Sequence, residues 1–301
     1  MGLEEKLKAS GFEVVGEEGS TYSFDMIAVK GENAFAIKVL ERPGIEEIKK
    51  YVTDLKRISI PLDLTPLFVC EEGAPDDVLV TFEGVPSITA PTLLKLTSDA
   101  KPPFVYISRG GVYVKVRGEY IRKRRLEQGM SLGDLSLLLG VTRRMVYEYE
   151  TGRSDVTVEV AKKMLRVFGE EAFEQLSLNG IREHFKKSRV SEQTPTGRIR
   201  DPTLRRIHGK LLSAGFVGLA IERAPFQLAA KREKGIASTK LVIRKSYEEE
   251  EFEEQFTLEV AKLCKSYALF VTGDKVRVVG RQVVEARAEE LEECLREPFS
   301  L

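Results

Sequence analysis

The sequence predicts a mixed fold of α/β plus all-α type, with a central helical domain between two α/β domains that duplicate one another. Three observations carry this expectation. The middle of the chain, from Tyr120 to about Leu178, is a run of short amphipathic stretches separated by glycine turns. Both ends alternate helical with strand-like periodicity, the pattern of α/β segments. The apolar blocks of the C-terminal end also follow those of the N-terminal end at an offset of about 202 to 204 residues.

Taken in order, Leu3 and Leu7 open a short amphipathic helix that runs into Gly11-Phe12. Phe24 to Val29 and Ala34 to Leu40 are two apolar runs around the turn Lys30-Gly31-Glu32-Asn33, a hairpin signal. Ile45, Ile48, Val52 and Leu55 recur at helical spacing, and Pro66 to Cys70 is a buried-strand pattern. Near the other end, Lys210 to Phe216 matches Lys6 to Phe12, Phe226 to Lys240 matches Phe24 to Lys38 without a gap, and Leu269-Phe270-Val271 matches Leu67-Phe68-Val69. Between the copies, Phe104 to Val114 is a hairpin turning at Arg109-Gly110-Gly111. Lys186 to Pro202 is polar and rich in breakers, a linker pattern. The expected organisation is an α/β domain at 1–100, a hairpin connector at 101–117, a helical domain at 118–180, a linker at 181–202 and a second α/β domain at 203–301. In the acidic run Glu248 to Glu254, Phe252 and Phe256 are expected to turn inward from a solvated helix face.

Composition narrows the function classes. The 301 residues are 42% hydrophobic, and no stretch approaches the roughly 20 apolar residues of a membrane helix. Acidic residues near Met1 and the lack of a long apolar run argue against a secretory signal, so a cytoplasmic protein is expected. Cys70, Cys264 and Cys294 form no C-x-x-C pair and are expected to be reduced thiols in or near cores. His184 and His208 have no neighbouring ligand at metal spacing, and no glycine-rich phosphate loop is present. Neither a metal nor another cofactor is therefore expected. The net charge of zero conceals a polarity: Lys115 to Lys210 holds 21 Lys/Arg against 13 Asp/Glu. A basic centre between acidic flanks points to an anionic partner for the middle domain.

The segment Gly118 to Arg153 gives that partner a reader. Ile121 and Leu126 supply an apolar side to its first helix. Ser131 is an N-cap candidate for the second helix, with Asp134 in the capping-box position and Leu132, Leu135 and Leu139 on the buried face. Gly140 suits the turn, Thr142 can cap the third helix, Val146 and Tyr149 face inward, and Gly152 can end it. Val156, Val160, Met164 and Leu165 continue into a fourth helix. Thr142, Arg143, Arg144, Tyr147 and Glu148 are left outward as candidate base readers, Arg being the common bidentate partner of guanine. Arg122, Lys123, Arg124, Arg125, Ser131 and Arg153 are candidate phosphate contacts.

This segment resembles the XRE-type, lambda-repressor-like helix-turn-helix family in its arginine-rich first helix, its Gly140-Val141-Thr142 turn and its Glu150-Thr151-Gly152-Arg153 exit. Ser136 stands where the family commonly has Ala. The resemblance implies double-stranded DNA binding by a homodimer at half-sites about one helical turn, roughly 34 Å, apart. As a whole the chain resembles archaeal HTH-type transcriptional regulators with flanking domains. The N-terminal pattern also resembles the PD-(D/E)xK nuclease fold, of restriction-endonuclease type. Glu4 or Glu5, Asp25 and Lys38 stand at three of that family's four positions, while Ala36 replaces the second acid. In the second copy Gln227 and Ser238 replace the acids and Lys240 remains. Loss of a central carboxylate removes a metal ligand, so non-enzymatic domains are expected.

Overall fold

The computed structural model describes residues 2–16, 18–42, 44–72, 75–98, 101–108, 110–189, 197–234, 237–246, 251–280 and 283–291. The chain forms two compact units: Met1–Val69 with Lys187–Leu301, and Cys70–Lys186. No helix among the described residues is long and apolar enough to cross a membrane.

The N-terminal segment contains α1 (Leu3–Ala9), β1 (Glu13–Gly16), β2 (Met26–Lys30), β3 (Asn33–Leu40), α2 (Ile45–Leu62) and β4 (Thr65–Cys70). Its strands lie in the order β1-β2-β3-β4, the first three antiparallel. Leu3 and Leu7 bury the inner face of α1. On α2, Ile48, Val52, Leu55, Ile58 and Leu62 are buried at the three- and four-residue spacing that makes one apolar stripe. The side chain of Ile45 lies outside the described set.

The second unit begins with β5 (Val78–Phe82), β6 (Val85–Thr89), α3 (Ala90–Leu96), β7 (Val105–Ser108) and β8 (Gly111–Val114). There follow α4 (Gly118–Glu127), α5 (Leu132–Leu139), α6 (Arg143–Glu150), β9 (Val156–Thr157), α7 (Val158–Phe168) and α8 (Leu178–Arg189). Its strands are ordered β6-β5-β7-β8-β9. The β7–β8 hairpin pairs as expected, with Ser108 opposite Gly111; Arg109 lies outside the described residues. It does more than connect, because Val114 and Val116 sit in one core with Ile121, Leu135, Leu139, Val146, Tyr149 and Met164 of the helices. Val156 belongs to β9 rather than to a helix, and Leu165 faces outward.

The C-terminal segment contains α9 (Pro202–Ser213), β10 (Val217–Ala220), β11 (Leu228–Lys234), β12 (Ala237–Lys245), α10 (Glu251–Leu263), β13 (Tyr267–Thr272), β14 (Lys275–Val279) and β15 (Val283–Arg287). The sheet is ordered β10 to β15 in sequence, with β12 and β13 parallel across the α10 crossover. Of the linker expected at 181–202, residues 181–189 instead continue α8, where Ile181 and Phe185 are buried; residues 190–196, Glu248 to Glu250 and Cys294 lie outside the described set. Cys70 and Cys264 are buried free thiols. Burial raises both above the ordinary thiol range, Cys264 to about 12.

The order α-β-β-β-α-β of the first segment recurs in the second, down to its local geometry. After α1, Gly11 takes φ 84° and Phe12 N–H donates to Leu7 O at 3.1 Å. After α9, Gly215 takes φ 81° and Phe216 N–H donates to Leu211 O at 2.9 Å. Both crossover helices leave through a left-handed non-glycine residue, Asp63 at φ 58° and Lys265 at φ 52°. The hairpins, however, do not match without a gap. Met26 pairs with Ile37, whereas Leu228 pairs with Ile243. The second hairpin is therefore longer, and the residue opposite Gln227 that corresponds to Lys38 is Arg244, not Lys240. By the same register Val242, not Ser238, stands in the place of Ala36.

The two segments cover one another. Helix α2 packs on β10, β11 and β12, and α10 packs on β1 and β2. Phe24 and Phe226, equivalent positions in the two segments, meet with ring centroids 6.4 Å apart. A residue touching its own counterpart is the mark of an isologous contact. Phe256 packs on Tyr22 and Phe24, while Phe252 is 70% exposed, contrary to its expected inward turn. Asp54, buried on α2, accepts the N–H groups of Glu222 at 3.1 Å and Arg223 at 2.9 Å.

Asp54→Ala strips the acceptor from both amides. It is expected to destabilise this unit by about 3 kcal/mol in guanidinium unfolding, with Asp54→Asn recovering part of the loss.

Candidate nucleic-acid interface

Helices α4, α5 and α6 are held in a helix-turn-helix by contacts that can be named residue by residue. Ser131 Oγ accepts Asp134 N–H at 3.1 Å, and Ser131 N–H donates to Asp134 Oδ2 at 2.8 Å, a complete capping box on α5. Gly140 ends α5 at φ 70°, where a Cβ would be strained. Lys163 of α7 donates to Leu139 O at 2.8 Å, placing a cation on the carbonyl end of α5. Thr142 Oγ1 caps α6 by accepting Met145 N–H at 3.2 Å. Gly118 is needed for a different reason: a Cβ there would lie 2.4 Å from Tyr149 O, so only glycine lets α4 start this close to the end of α6.

Arg125 is the main departure from the expected site. It is buried, with Nε 2.5 Å and Nη2 2.9 Å from the two carboxylate oxygens of Glu150, while Nη1 donates to Met130 O at 2.8 Å. A guanidinium engaged on all three nitrogens inside the domain cannot reach a phosphate. Arg125 therefore leaves the phosphate-contacting set and instead ties α4 and the loop before α5 to the end of α6. The Glu150 hydrogen bond also raises the Arg125 pKa. Leu126 is corrected too: it is 58% exposed rather than part of the inner side of α4. Leu137 and Leu138 of α5 are exposed as well.

The remaining candidates lie outside. Arg144 is 87% exposed at its side chain and donates to Glu148 Oε1 at 2.9 Å. Arg143 is exposed and leans on Gly133 of α5, beside Asp134. Tyr147 is exposed, with the Arg153 guanidinium 5.7 Å from its ring centroid. Arg122 and Lys123 are exposed on α4; Lys123 and Arg124 approach Glu127 at 3.9 and 3.0 Å.

The second candidate constellation is on the N-terminal segment. Lys38 Nζ donates to Asp25 Oδ1 at 2.9 Å and to Ser20 O at 2.8 Å, and sits 4.8 Å from the Tyr51 ring centroid. Asp25 Oδ1 also accepts Ser20 N–H at 2.9 Å, and Oδ2 accepts Val39 N–H at 2.7 Å. Three of the roughly four acceptor positions of this carboxylate are thus filled. Ala36 is fully buried and offers no ligand, Glu4 pairs with Lys8 at 2.5 Å, and Glu5 is exposed. These donors do not fit a divalent metal. No group of three His, Cys, Asp or Glu able to hold one occurs among the described residues. At the equivalent place in the C-terminal segment, Gln227 Oε1 accepts Lys245 N–H at 2.9 Å, and buried Arg244 donates to Pro225 O. Lys240 lies elsewhere, 3.4 Å from Leu62 O at the end of α2.

Comparison with known proteins finds a family model for each of the two regions. A helix-turn-helix family model matches residues 121–175, and a PD-(D/E)XK superfamily domain model matches residues 2–103. The chain carries an XRE-type helix-turn-helix domain and a PD-(D/E)XK domain. Its relatives include archaeal proteins with the provisional name HTH-type transcriptional regulatory protein. One from Methanospirillum hungatei is 36% identical over 176 residues, covering 56% of this chain and 56% of that protein. One from Saccharolobus islandicus is 30% identical over 59% of this chain and 61% of that protein. One from Methanoculleus marisnigri is 34% identical over 69% of this chain and 66% of that protein. The matches thus span between about half and two thirds of these relatives' length.

Two outcomes test the geometry of the helix-turn-helix domain. Arg125→Ala leaves Glu150 buried without its partner and is expected to cost about 3–5 kcal/mol in thermal or denaturant unfolding. Asp134 has its pKa lowered by the Ser131 side-chain and backbone hydrogen bonds. Its contribution to stability is therefore present above the ordinary Asp pKa and is lost as pH falls through the lowered value. Carboxyl NMR titration is expected to place Asp134 below the ordinary Asp range, with Ser131→Ala moving it back up.

Proposed function

We propose that this chain is a sequence-specific double-stranded-DNA-binding transcriptional regulator that works in the cytoplasm as a homodimer. The observation that carries this reading is the outer face of α6, which begins with two exposed arginines on a helix whose inner face is packed and whose start is capped. The first turn of a recognition helix is the part that meets base edges in the major groove. Thr142, Arg143, Arg144, Tyr147 and Glu148 are the proposed base-reading set. Arg122, Lys123, Arg124, Ser131 and Arg153 are proposed to hold phosphates. The names of the archaeal relatives support the regulatory part of the reading.

The two α/β segments are read as degenerate copies of one nuclease-like domain that no longer cleave DNA. Their shared element order, matching helix exits and Phe24–Phe226 contact support the duplication. The occupied Asp25 carboxylate and the apolar Ala36 support the loss of cleavage. Because the segments already cover each other within one chain, the proposed homodimer contact lies outside that shared face. Light scattering of the full chain tests the dimer, and a monomer at micromolar concentration would remove it.

Binding-site selection followed by fluorescence anisotropy tests the central claim. Arg143→Ala combined with Arg144→Ala is expected to abolish preference for the selected duplex while leaving salt-sensitive nonspecific binding. Arg122→Ala with Lys123→Ala should weaken all duplexes alike and lower the log–log salt slope by about 2. If selectivity survives the Arg143/Arg144 change, α6 is not the reader. Product formed from duplex or branched DNA in Mg²⁺ or Mn²⁺, and lost in Lys38→Ala, would overturn the non-enzymatic part.

A further inference from the structure

The place where a PD-(D/E)XK domain would gather its carboxylates is not a flat scar in this chain. A cavity of about 430 Å³ opens there, walled by Glu4, Ser20, Tyr22 and Asp25 on one side and by α10 on the other, with Phe252, Phe256 and Glu259. Its chemistry is one-sided. Tyr22, Phe256 and Phe252 form a continuous aromatic wall, Phe256 lying 6.2 Å from each of the other two ring centroids. Among the described residues, three carboxylates line the cavity and no basic side chain does. Lys38 balances Asp25, and Lys8 reaches Glu4 from outside the lining. Glu259 accepts only a neutral partner among the described residues, the Gln255 amide at 2.9 Å. Phe252 stands at the edge with most of its ring exposed, on a helix whose neighbouring Phe256 is buried.

A phosphate or other anion would meet the Glu259 carboxylate, which no cation faces among the described residues, so an anionic ligand is disfavoured. A neutral apolar molecule would use the rings and leave the carboxylates without a role. A cation with an apolar skirt uses both: aromatic faces attract cations through their negative quadrupole, and grouped rings are a recurring way to hold ammonium groups. The volume falls in the range of small-molecule sites. We propose that this cavity binds an organic ammonium ion, its charge answered by Glu259 and its alkyl part laid against Tyr22, Phe252 and Phe256. Because Tyr22 belongs to the N-terminal segment and Phe252 and Glu259 to the C-terminal one, the ligand bridges the two segments. Ligand bound to the folded state then stabilises their association. This goes beyond the DNA-binding reading and does not require it.

Calorimetric titration and thermal melting of the full chain at low ionic strength test the proposal. The probes are choline, spermidine, the neutral choline isostere 3,3-dimethyl-1-butanol, and MgCl₂. Saturable binding of choline or spermidine is expected, with a raised melting temperature and no comparable effect of the neutral alcohol. Phe252→Ala and Glu259→Gln, both at exposed positions that leave the core intact, should each weaken binding roughly tenfold. The Arg143/Arg144 double substitution should leave it unchanged, which separates failure here from failure of the DNA-binding reading. The proposal is overturned if neither ammonium probe saturates, if the neutral alcohol binds as tightly as choline, if Mg²⁺ displaces the ammonium probe stoichiometrically, or if both variants bind like the parent.

Discussion

The constraint on which the larger unit depends is reciprocal cover. A sheet with an apolar face must bury it, and here each sheet is covered by the crossover helix of the other segment, α2 on β10 to β12 and α10 on β1 and β2. Phe24 and Phe226 meet at the middle of this exchange. The polar part is as specific as the apolar part, since the buried Asp54 carboxylate satisfies two backbone amides at the turn before Phe226. Neither segment has its sheet fully covered by its own helices. The two ends of the chain therefore stabilise each other, and residues 70–186 form a separate unit inserted in sequence between them.

Asp25 and Gln227 occupy matching places at the starts of their hairpins and make matching hydrogen bonds. Asp25 Oδ2 accepts the amide of Val39, and Gln227 Oε1 accepts the amide of Lys245 at the equivalent point. Either hydrogen bond requires an acceptor and not a charge, so Gln227 serves in one segment as Asp25 does in the other. The cation opposite follows the same logic. Lys38 balances a buried carboxylate, whereas Arg244 beside neutral Gln227 turns to the Pro225 carbonyl and lies 3.9 Å from Glu253. A buried charge without a partner is costly, so a buried cation beside a neutral Gln needs another partner. What the two segments share at this point is thus the hydrogen bond that closes the hairpin, and not the charged pair.

The parts that were legible in the sequence are those governed by local rules. Ser131, Gly140 and Thr142 announce helix ends because caps and left-handed turns depend on a few adjacent residues. The stripe on α2 and the β2–β3 hairpin were legible for the same reason. Strands β5 and β6 were not, because their turn places Glu83 at φ 46° before Gly84 instead of the usual Asn or Asp, and because Pro86, which lies within β6, argues against a strand in the sequence. The longer second hairpin escaped because alternation along a strand does not report its length. Arg125 escaped because one cation among four on α4 differs from its neighbours only by its orientation toward Glu150, 25 residues away.

That orientation decides what the helix-turn-helix can be. Four consecutive cations, Arg122 to Arg125, suggest a purely electrostatic grip, yet one of them is spent on internal structure. The Arg125–Glu150 pair is almost fully desolvated, so its net contribution to stability is small, but its two parallel hydrogen bonds fix an orientation in a way an apolar contact does not. Together with Gly118, whose missing Cβ admits the last carbonyls of α6, it fixes that helix relative to α4 from its C-terminal end. Thr142 and the α5 turn hold the other end. A helix pinned at both ends can present Arg143 and Arg144 in one arrangement rather than many. Pre-organisation of this kind is what the proposed reading of base sequence by α6 rests on, as opposed to adhesion to charge alone.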